Sequence, residues 1–273
     1  MGLQDIHLPK HHFDFTDRFI EACLADERVL AVTLYGSCAR GEADAYSDLD
    51  LGLITTDEAN EGFVVEREIF LRQLGELVFL EDFGSPVALF IYSNGVEGEL
   101  SIGRESQFHH IHDEPYKVLL DKKGILASAV FLHPEPAQAE QTEILRRQVY
   151  WFWHDLSHFI TAMGRGQLWW AQGQLEILRE ICVNLARLKY NFSDPNVGEE
   201  VYFKVEKAIP VELLSPLEVT FCPLEKKAML RAAQVIVNFY LDITPLLARS
   251  HGIAYPADLE RVMTDRMRKL EAV

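Results

Sequence analysis

The order of apolar and polar positions divides this chain into two regimes. Up to about residue 132, short apolar runs are separated by polar turns. Val29–Tyr35 (VLAVTLY) is a strand-length run, and Asp48–Ile54 (DLDLGLI) is another. Between them lie a Gly-Ser turn and a short polar helix. Phe15, Phe19, Ile20 and Cys23 recur at helical spacing, which predicts a helix over Asp14–Ala25 with Asp14 or Thr16 as N-cap. A further helix is expected from about Val64 to Gly75, followed by a strand at Leu77–Leu80. Val87–Tyr92 and Val96–Ile102 flank Ser93-Asn94-Gly95, and Asn-Gly between apolar runs signals a hairpin. Val118–Leu120 predicts one more short strand, ending in Asp121-Lys122-Lys123-Gly124. His133-Pro134-Glu135-Pro136 has the composition of a linker.

From about Ala137 onward the period is helical throughout. Gln141–Ala162, Gln172–Tyr190, Leu224–Leu241 and Ala257–Glu271 each carry an apolar stripe. An α/β half followed by an all-α half predicts an α+β protein of two domains. The expected division is a mixed-sheet domain over residues 1–132 and a helical bundle over residues 137–273.

The candidate chemistry sits at the second strand. Residues two apart on a strand share a face, so Asp48 and Asp50 point one way while Leu49 and Leu51 point into the protein. Two adjacent carboxylates repel and call for a counter-charge. A divalent cation supplies it, and hard oxygen donors suit Mg²⁺. Upstream, Gly36-Ser37 falls where a strand gives way to a helix, and exposed backbone N–H groups at such a turn favour phosphate. A phosphate-holding turn followed by a metal-holding strand is the layout expected of an enzyme that handles a nucleoside triphosphate.

Leu34-Tyr35-Gly36-Ser37 and Ser47-Asp48-Leu49-Asp50, about ten residues apart, resemble the signature of the nucleotidyltransferase superfamily, whose catalytic core is like that of DNA polymerase β. Ala39-Arg40-Gly41-Glu42 is also like the small bacterial members. The order of elements over Phe15–Leu126 resembles the lincosamide and aminoglycoside nucleotidyltransferases, and the helical half does so in outline. The resemblance implies a mixed-sheet nucleotidyltransferase domain followed by an all-α acceptor-binding bundle. It implies Mg²⁺, as a two-metal site, and a nucleoside triphosphate, ATP first, as substrate. Gly36 and Ser37 would hold the phosphates, with Arg40 the nearest basic contact. A third carboxylate is expected on a strand beside Asp48 and Asp50, where Glu99 matches best and Glu97 is the alternative. The helical half would supply a general base toward an acceptor hydroxyl, either Asp155 or Glu176, unless Glu99 itself takes the proton. AMP transfer to a small molecule, an aminoglycoside or lincosamide antibiotic, is the leading expectation. AMP transfer to a protein and a non-catalytic nucleotide-binding module stand as alternatives.

Charge narrows the partners. The 273-residue chain has 26 basic against 42 acidic residues, a formal net charge of −16. Gripping nucleic acid needs clustered Lys and Arg, so a nucleic-acid substrate is not expected, and a neutral or cationic small acceptor suits the field better. Cys23, Cys38, Cys182 and Cys222 are widely spaced, without a CxxC pair, and read as reduced thiols. The polar start, MGLQDIHLPKHH, lacks a signal-peptide core and places Ile6 where a myristoylation motif wants Ser or Thr. No apolar run reaches membrane-spanning length. A cytoplasmic enzyme with no membrane partner is expected, and the oligomeric state stays open. Arg179, Arg187, Lys189 and Lys204 are further candidates for triphosphate contact. Tyr150–Trp153 and Trp169-Trp170 are read mainly as bundle core. His109-His110-Ile111-His112-Asp113 matches no metal-ligand spacing, and Cys38 is read as packing, not as a nucleophile.

Overall fold

The computed structural model describes residues 8–109, 111–112, 115–131, 138–198 and 200–271, and of Ile111 and Glu271 the backbone alone. The linker expected at His133–Pro136, the first seven residues of the polar start, His110 and Asp113 lie outside the described residues. The chain divides into two compact units, Met1–His133 and Pro134–Val273.

The first unit is built on a mixed sheet. Its elements are α1 (Lys10–Ala25), β1 (Val29–Leu34), α2 (Gly36–Arg40), β2 (Leu49–Thr55), α3 (Asn60–Gln73), β3 (Leu77–Glu81), β4 (Val87–Tyr92), β5 (Glu97–Arg104), β6 (Ile111–His112), β7 (Lys117–Asp121) and β8 (Val130–Phe131). Six strands run in the order β3-β4-β5-β2-β1-β7, with β6 and β8 as a separate pair. β2 and β5 pair in parallel, and the other neighbours in the main sheet are antiparallel. All six residues of β1 are buried, as befits an inner strand covered on both faces. The hairpin from β4 to β5 turns at Asn94-Gly95, where Gly95 takes φ 83° and the Asn94 side chain accepts from the Val96 N–H. Phe15, Phe19 and Cys23 pack α1 onto the sheet, as their spacing predicts.

α1 begins earlier than expected, and neither Asp14 nor Thr16 caps it. Pro9 stands at the N-cap, because its fixed φ suits a helix start. Asp14 instead pairs with Lys10, and the Thr16 hydroxyl donates to the His12 carbonyl at 2.7 Å. Past the sheet, Asp121 accepts from the Ile125 and Leu126 N–H groups, and Lys122 donates to the Cys23 and Asp26 carbonyls. The strand end thereby fastens the turn that follows and the C-terminus of α1.

The second unit is helical: α4 (Gln138–Gly164), α5 (Leu168–Tyr190), α6 (Val205–Ala208), α7 (Val211–Glu218), α8 (Lys226–Ser250) and α9 (Ala257–Glu271). α8 runs beyond the expected Leu241 and through Pro245, because Ile243, Leu247 and Ala248 keep the apolar stripe on the buried face. Its core is aromatic. Phe152 and Tyr240 stack at 3.7 Å between ring centres, Trp153 meets Tyr240 edge-on, and the Tyr240 hydroxyl donates to the Val149 carbonyl. Trp151, Trp169 and Trp170 are exposed, so the aromatic runs divide between core and surface, because adjacent helix positions face different directions. Among the described residues no helix is long and apolar enough to cross a membrane.

Arg187 organises the segment after α5. It is fully buried, pairs with Asp194 at 2.7 Å, and donates to the Val201 and Phe203 carbonyls. Removing one partner of a buried pair strands the other charge, at a cost of about 3–5 kcal/mol. Asp194→Ala is therefore expected to lower stability to urea by about that amount. The double replacement Arg187→Met, Asp194→Leu should lose less. A loss under about 1 kcal/mol for Asp194→Ala would show that the pair does not hold this segment.

Candidate active site

β1, α2 and β2 form one local device. The Tyr35 N–H donates to the Asp50 carbonyl at 2.8 Å, so the chain leaving β1 is bound to β2 beside its acid. The next residue, Gly36, has φ 62°, and an added Cβ there would overlap the Asp50 carboxylate. Glycine is needed twice over, for the backbone angle and for the close approach. α2 follows without a side-chain cap, and its first N–H groups have no acceptor within the helix. The Ser37 hydroxyl is buried with no oxygen or nitrogen partner within hydrogen-bond distance; the adjacent Cys38 sulfur is at most a weak acceptor. Cys38 points inward to the Asp48 carbonyl, and burial pushes its thiol up to about 11. It packs and is not a ready thiolate.

Asp48 precedes β2 and is exposed, while Asp50 lies within the strand and is half-buried between Leu49 and Leu51, both in the core. The parallel pairing of β2 with β5 sets Asp50 opposite Glu99. Gly98 makes this possible on the other face, since a Cβ there would overlap the Leu49 carbonyl and lie 2.7 Å from the Phe90 ring. A cleft of about 430 Å³ is lined by Tyr35, Gly36, Arg40, Asp50, Glu99 and Ser101. A second hollow, of about 230 Å³, holds Asp48, Asp50, Glu97 and Glu99. Asp50 and Glu99 border both. The structure thus brings Gly36, Arg40, Asp50 and Glu99 to one wall, with Asp48 just around it. Arg40 is paired with Glu42 at 3.2 Å at the edge of that cleft.

His12 is a neighbour that periodicity does not reveal. It is buried on α1, with its Nδ1 unpartnered. Burial, then the charge of His11, pulls its pKa down, while Asp48 is close enough to push it up. The signal in the sequence is only a His-His pair at a helix start.

In the helical unit a cavity of about 660 Å³ is lined by Trp151, Asp155, Glu180, Glu200, Tyr202 and Phe203, among others. Asp155 is 9% exposed, and burial raises its pKa against the opposing pull of His154 and His158. Glu180 is raised by burial and by the charge of Glu176. Glu176 itself pairs with Arg179 and accepts from the Tyr202 hydroxyl at 2.7 Å, so both its oxygens are engaged. Asp155 faces the cavity and Glu176 buttresses its Tyr202 wall. Glu200, Tyr202 and Phe203 belong to the segment held by Arg187, and sequence reasoning missed them because an irregular segment has no period.

Two expected phosphate contacts are corrected. Arg187 is sealed by Asp194 and two carbonyls, and Arg179 is buried against Glu176, Thr220 and the Phe221 ring. Neither guanidinium has a face left for a triphosphate. Lys189 is exposed, and Lys204 lies over the Phe203 ring at 5.0 Å.

The model of the streptomycin adenylyltransferase family matches residues 10–270, nearly the whole chain. The chain belongs to the streptomycin adenylyltransferase family. It is an enzyme of the nucleotidyltransferase class, so the resemblance read from Gly36-Ser37 and Ser47–Asp50 is borne out. A search of curated proteins found no significant match. Among solved structures, the chain is similar to an aminoglycoside 6-adenyltransferase from Bacillus subtilis, at 17% identity and a TM-score of 0.40, covering 95% of this chain and 98% of that one. It is also similar to a spectinomycin adenyltransferase from Enterococcus faecialis with ATP and spectinomycin, at 10% identity and a TM-score of 0.28, covering 96% and 98%.

In this adenylyltransferase-family chain the tightest constraint is Gly36 against Asp50. Even one methyl there displaces the acid from its place in the cleft. Gly36→Ala is expected to abolish measurable triphosphate binding by calorimetry while the thermal midpoint falls only modestly. Parent-like affinity in Gly36→Ala would sink the assignment of this turn.

Proposed function

We propose that the chain transfers the adenylyl group of ATP to a hydroxyl of a cationic, aminoglycoside-type small molecule and releases pyrophosphate. One observation carries the reading: a single cleft gathers Gly36, Arg40, Asp50 and Glu99 in a chain of the streptomycin adenylyltransferase family. Asp48, Asp50 and Glu99 are hard oxygen donors of the kind Mg²⁺ prefers. Gly36 and the Ser37 hydroxyl, which has only the weakly accepting Cys38 sulfur beside it, fit a phosphate-bearing ligand. When bound, Mg²⁺ would supply charge neutralisation for an in-line displacement at phosphorus.

The residues then divide the work. Gly36 and Ser37 offer backbone and hydroxyl donors to the triphosphate. Arg40, turned from Glu42, would add a charge-assisted bond to it. The acceptor oxygen forms its bond to the α-phosphorus as the bond from that phosphorus to the bridging oxygen breaks. Pyrophosphate leaves with the electron pair. The hydroxyl proton passes to a carboxylate of the helical unit, for which Asp155 is the stronger candidate. Glu176 is committed to Arg179 and Tyr202, whereas Asp155 faces the cavity and its burial favours the protonated form.

The cavity itself supports a small acceptor. Its volume falls within the range of ligand pockets, about 300–1,000 Å³. Asp155, Glu180 and Glu200 give it negative charge for amino groups, and Trp151, Tyr202 and Phe203 give it rings on which a sugar can stack. The net charge of −16 draws a polycation.

A pyrophosphate-release assay with Mg²⁺, each of four triphosphates and a panel of aminoglycosides tests the reading. ATP with at least one polycationic acceptor should give turnover. Release with none of them would overturn it. Asp48→Asn and Asp50→Asn should each cut turnover by about 10²–10³-fold or more. In EDTA their thermal midpoints should stay level or rise, because a like-charge contact is removed. An Asp50→Asn enzyme with unimpaired turnover would refute the metal-binding role.

The helical acids give a separate test. Asp155→Asn should lower kcat by about 10²–10⁴-fold with Mg·ATP affinity unchanged. Glu180→Gln should act mainly on the acceptor KM. That KM should rise with salt for a polycation, since exposed charges are screened over about 8–10 Å. If Glu176→Gln proves more damaging to kcat than Asp155→Asn, the base is Glu176 and the present ranking is wrong.

A further inference from the structure

Among the described residues, one set of three His, Cys or carboxylate side chains brings its ligand atoms within 4.8 Å of one another, and it is not the acid cluster at the cleft. It is His154, Asp155 and His158, on the middle turns of α4. We propose that these three side chains form a binding site for a divalent first-row transition ion of the zinc type.

Helix geometry comes first. Residues four apart stand one above the other on a helix, so His154 and His158 share a face. Their ring centres are 4.4 Å apart. Asp155, one position on from His154 and three before His158, reaches the same spot from the side. Two imidazoles and one carboxylate are a donor set that suits zinc-type ions and disfavours Mg²⁺, which prefers oxygen alone. Three protein ligands also leave coordination positions for water or another ligand. Tetrahedral bonds of about 2.0–2.1 Å bring ligand atoms to about 3.3 Å from one another. The exposed His154 ring can close that gap by side-chain rotation.

The surroundings hold the donors in place. Phe152, Trp153, Leu156 and Phe159 are fully buried, so this stretch of α4 is anchored by four core side chains. Trp151 meets the His154 ring edge-on at 5.0 Å, and Trp170 of α5 lies 5.9 Å from the His158 ring. The three ligands thus stand on α4 with the His158 end toward α5, and an indole lies beside each imidazole. Asp155 cannot ligate an ion and accept a proton together, so an ion here opposes any role of Asp155 toward an acceptor. Binding itself does not depend on the proposed transfer reaction, and the site stands or falls on ion affinity alone.

The two indoles provide the readout. The full chain, without a polyhistidine tag, is titrated with Co²⁺ while tryptophan fluorescence is followed, Co²⁺ being a paramagnetic quencher that takes the same donors. Saturable one-to-one quenching, reversed by Zn²⁺ and untouched by about a hundredfold excess of Mg²⁺, is expected. Loss of a neighbour that merely orients a metal ligand costs about 10–100-fold in affinity. His154→Ala and His158→Ala should therefore each weaken Co²⁺ binding by at least about tenfold. His154 is exposed and His158 half-buried, and unchanged circular dichroism checks that the fold is kept. Trp151→Phe should reduce the amplitude of quenching and leave the affinity as it was. Parent-like affinity in the double variant His154→Ala, His158→Ala would place the ion elsewhere and overturn the proposal, as would the absence of saturable quenching in the parent.

Discussion

The site in the first unit depends on the parallel pairing of β2 with β5. Parallel neighbours cannot be joined by a tight turn, so the chain must cross over between them. Here α3, β3 and β4 make the crossing, and the Asn94-Gly95 turn sends β5 back beside β2 in the register that sets Asp50 opposite Glu99. Two like charges in register are unfavourable by themselves. They persist because the other face of both strands is fully committed. Leu49, Leu51, Leu53, Leu100 and Ile102 fill the core, and a shift by one residue would turn them out to water. The acids are thus held by hydrophobic burial that has nothing to do with their chemistry. Glycine completes the arrangement where backbone must come close, at Gly36 under Asp50 and at Gly98 against Leu49.

Much of this is legible in the sequence because it is periodic. The strands at Val29, Leu49, Val87 and Glu97 announce themselves by apolar runs, and Asn94-Gly95 by its turn chemistry. The mixed sheet followed by helices follows from the change of period near Ala137. What stayed hidden was non-periodic or depended on burial. The strands β6 and β8 are two residues each and too short to carry a pattern. α6, α7 and the segment before them have no extended stripe. Arg179 and Arg187 show the second kind of failure. As letters they are cations available to phosphate, but in the fold they are spent on Glu176, Asp194 and main-chain carbonyls. A charge in a sequence says nothing of its partner, and a buried guanidinium needs one.

Arg187 also shows how a structural charge serves a site it never touches. Val201 and Phe203 both line the cavity of the helical unit, and both offer their carbonyls to this one buried fork. A planar guanidinium can hold several acceptors in fixed directions, which an ammonium cannot. An irregular wall is thereby tied to α5 through one side chain. Asn184 adds to it by accepting from the Gly198 N–H. The cost of burying an ion pair is met where a pocket must keep its shape without regular hydrogen bonding.

Asp155 and Glu176 then make the last point. Both are acids in the middle of long helices, and spacing alone treats them alike. Glu176 has a guanidinium and a phenol on its two oxygens, and its work is to hold Arg179 and Tyr202 in place. Asp155 has burial pressing toward the neutral form and two imidazoles pressing the other way. A group balanced between opposing influences responds to what enters beside it, whether an amino group, a hydroxyl proton or a metal ion. Glu176 is insulated from such changes because its partners are already part of the fold. The partners that surround each carboxylate, more than its position along the helix, decide which acid can take part in chemistry and which one supports it.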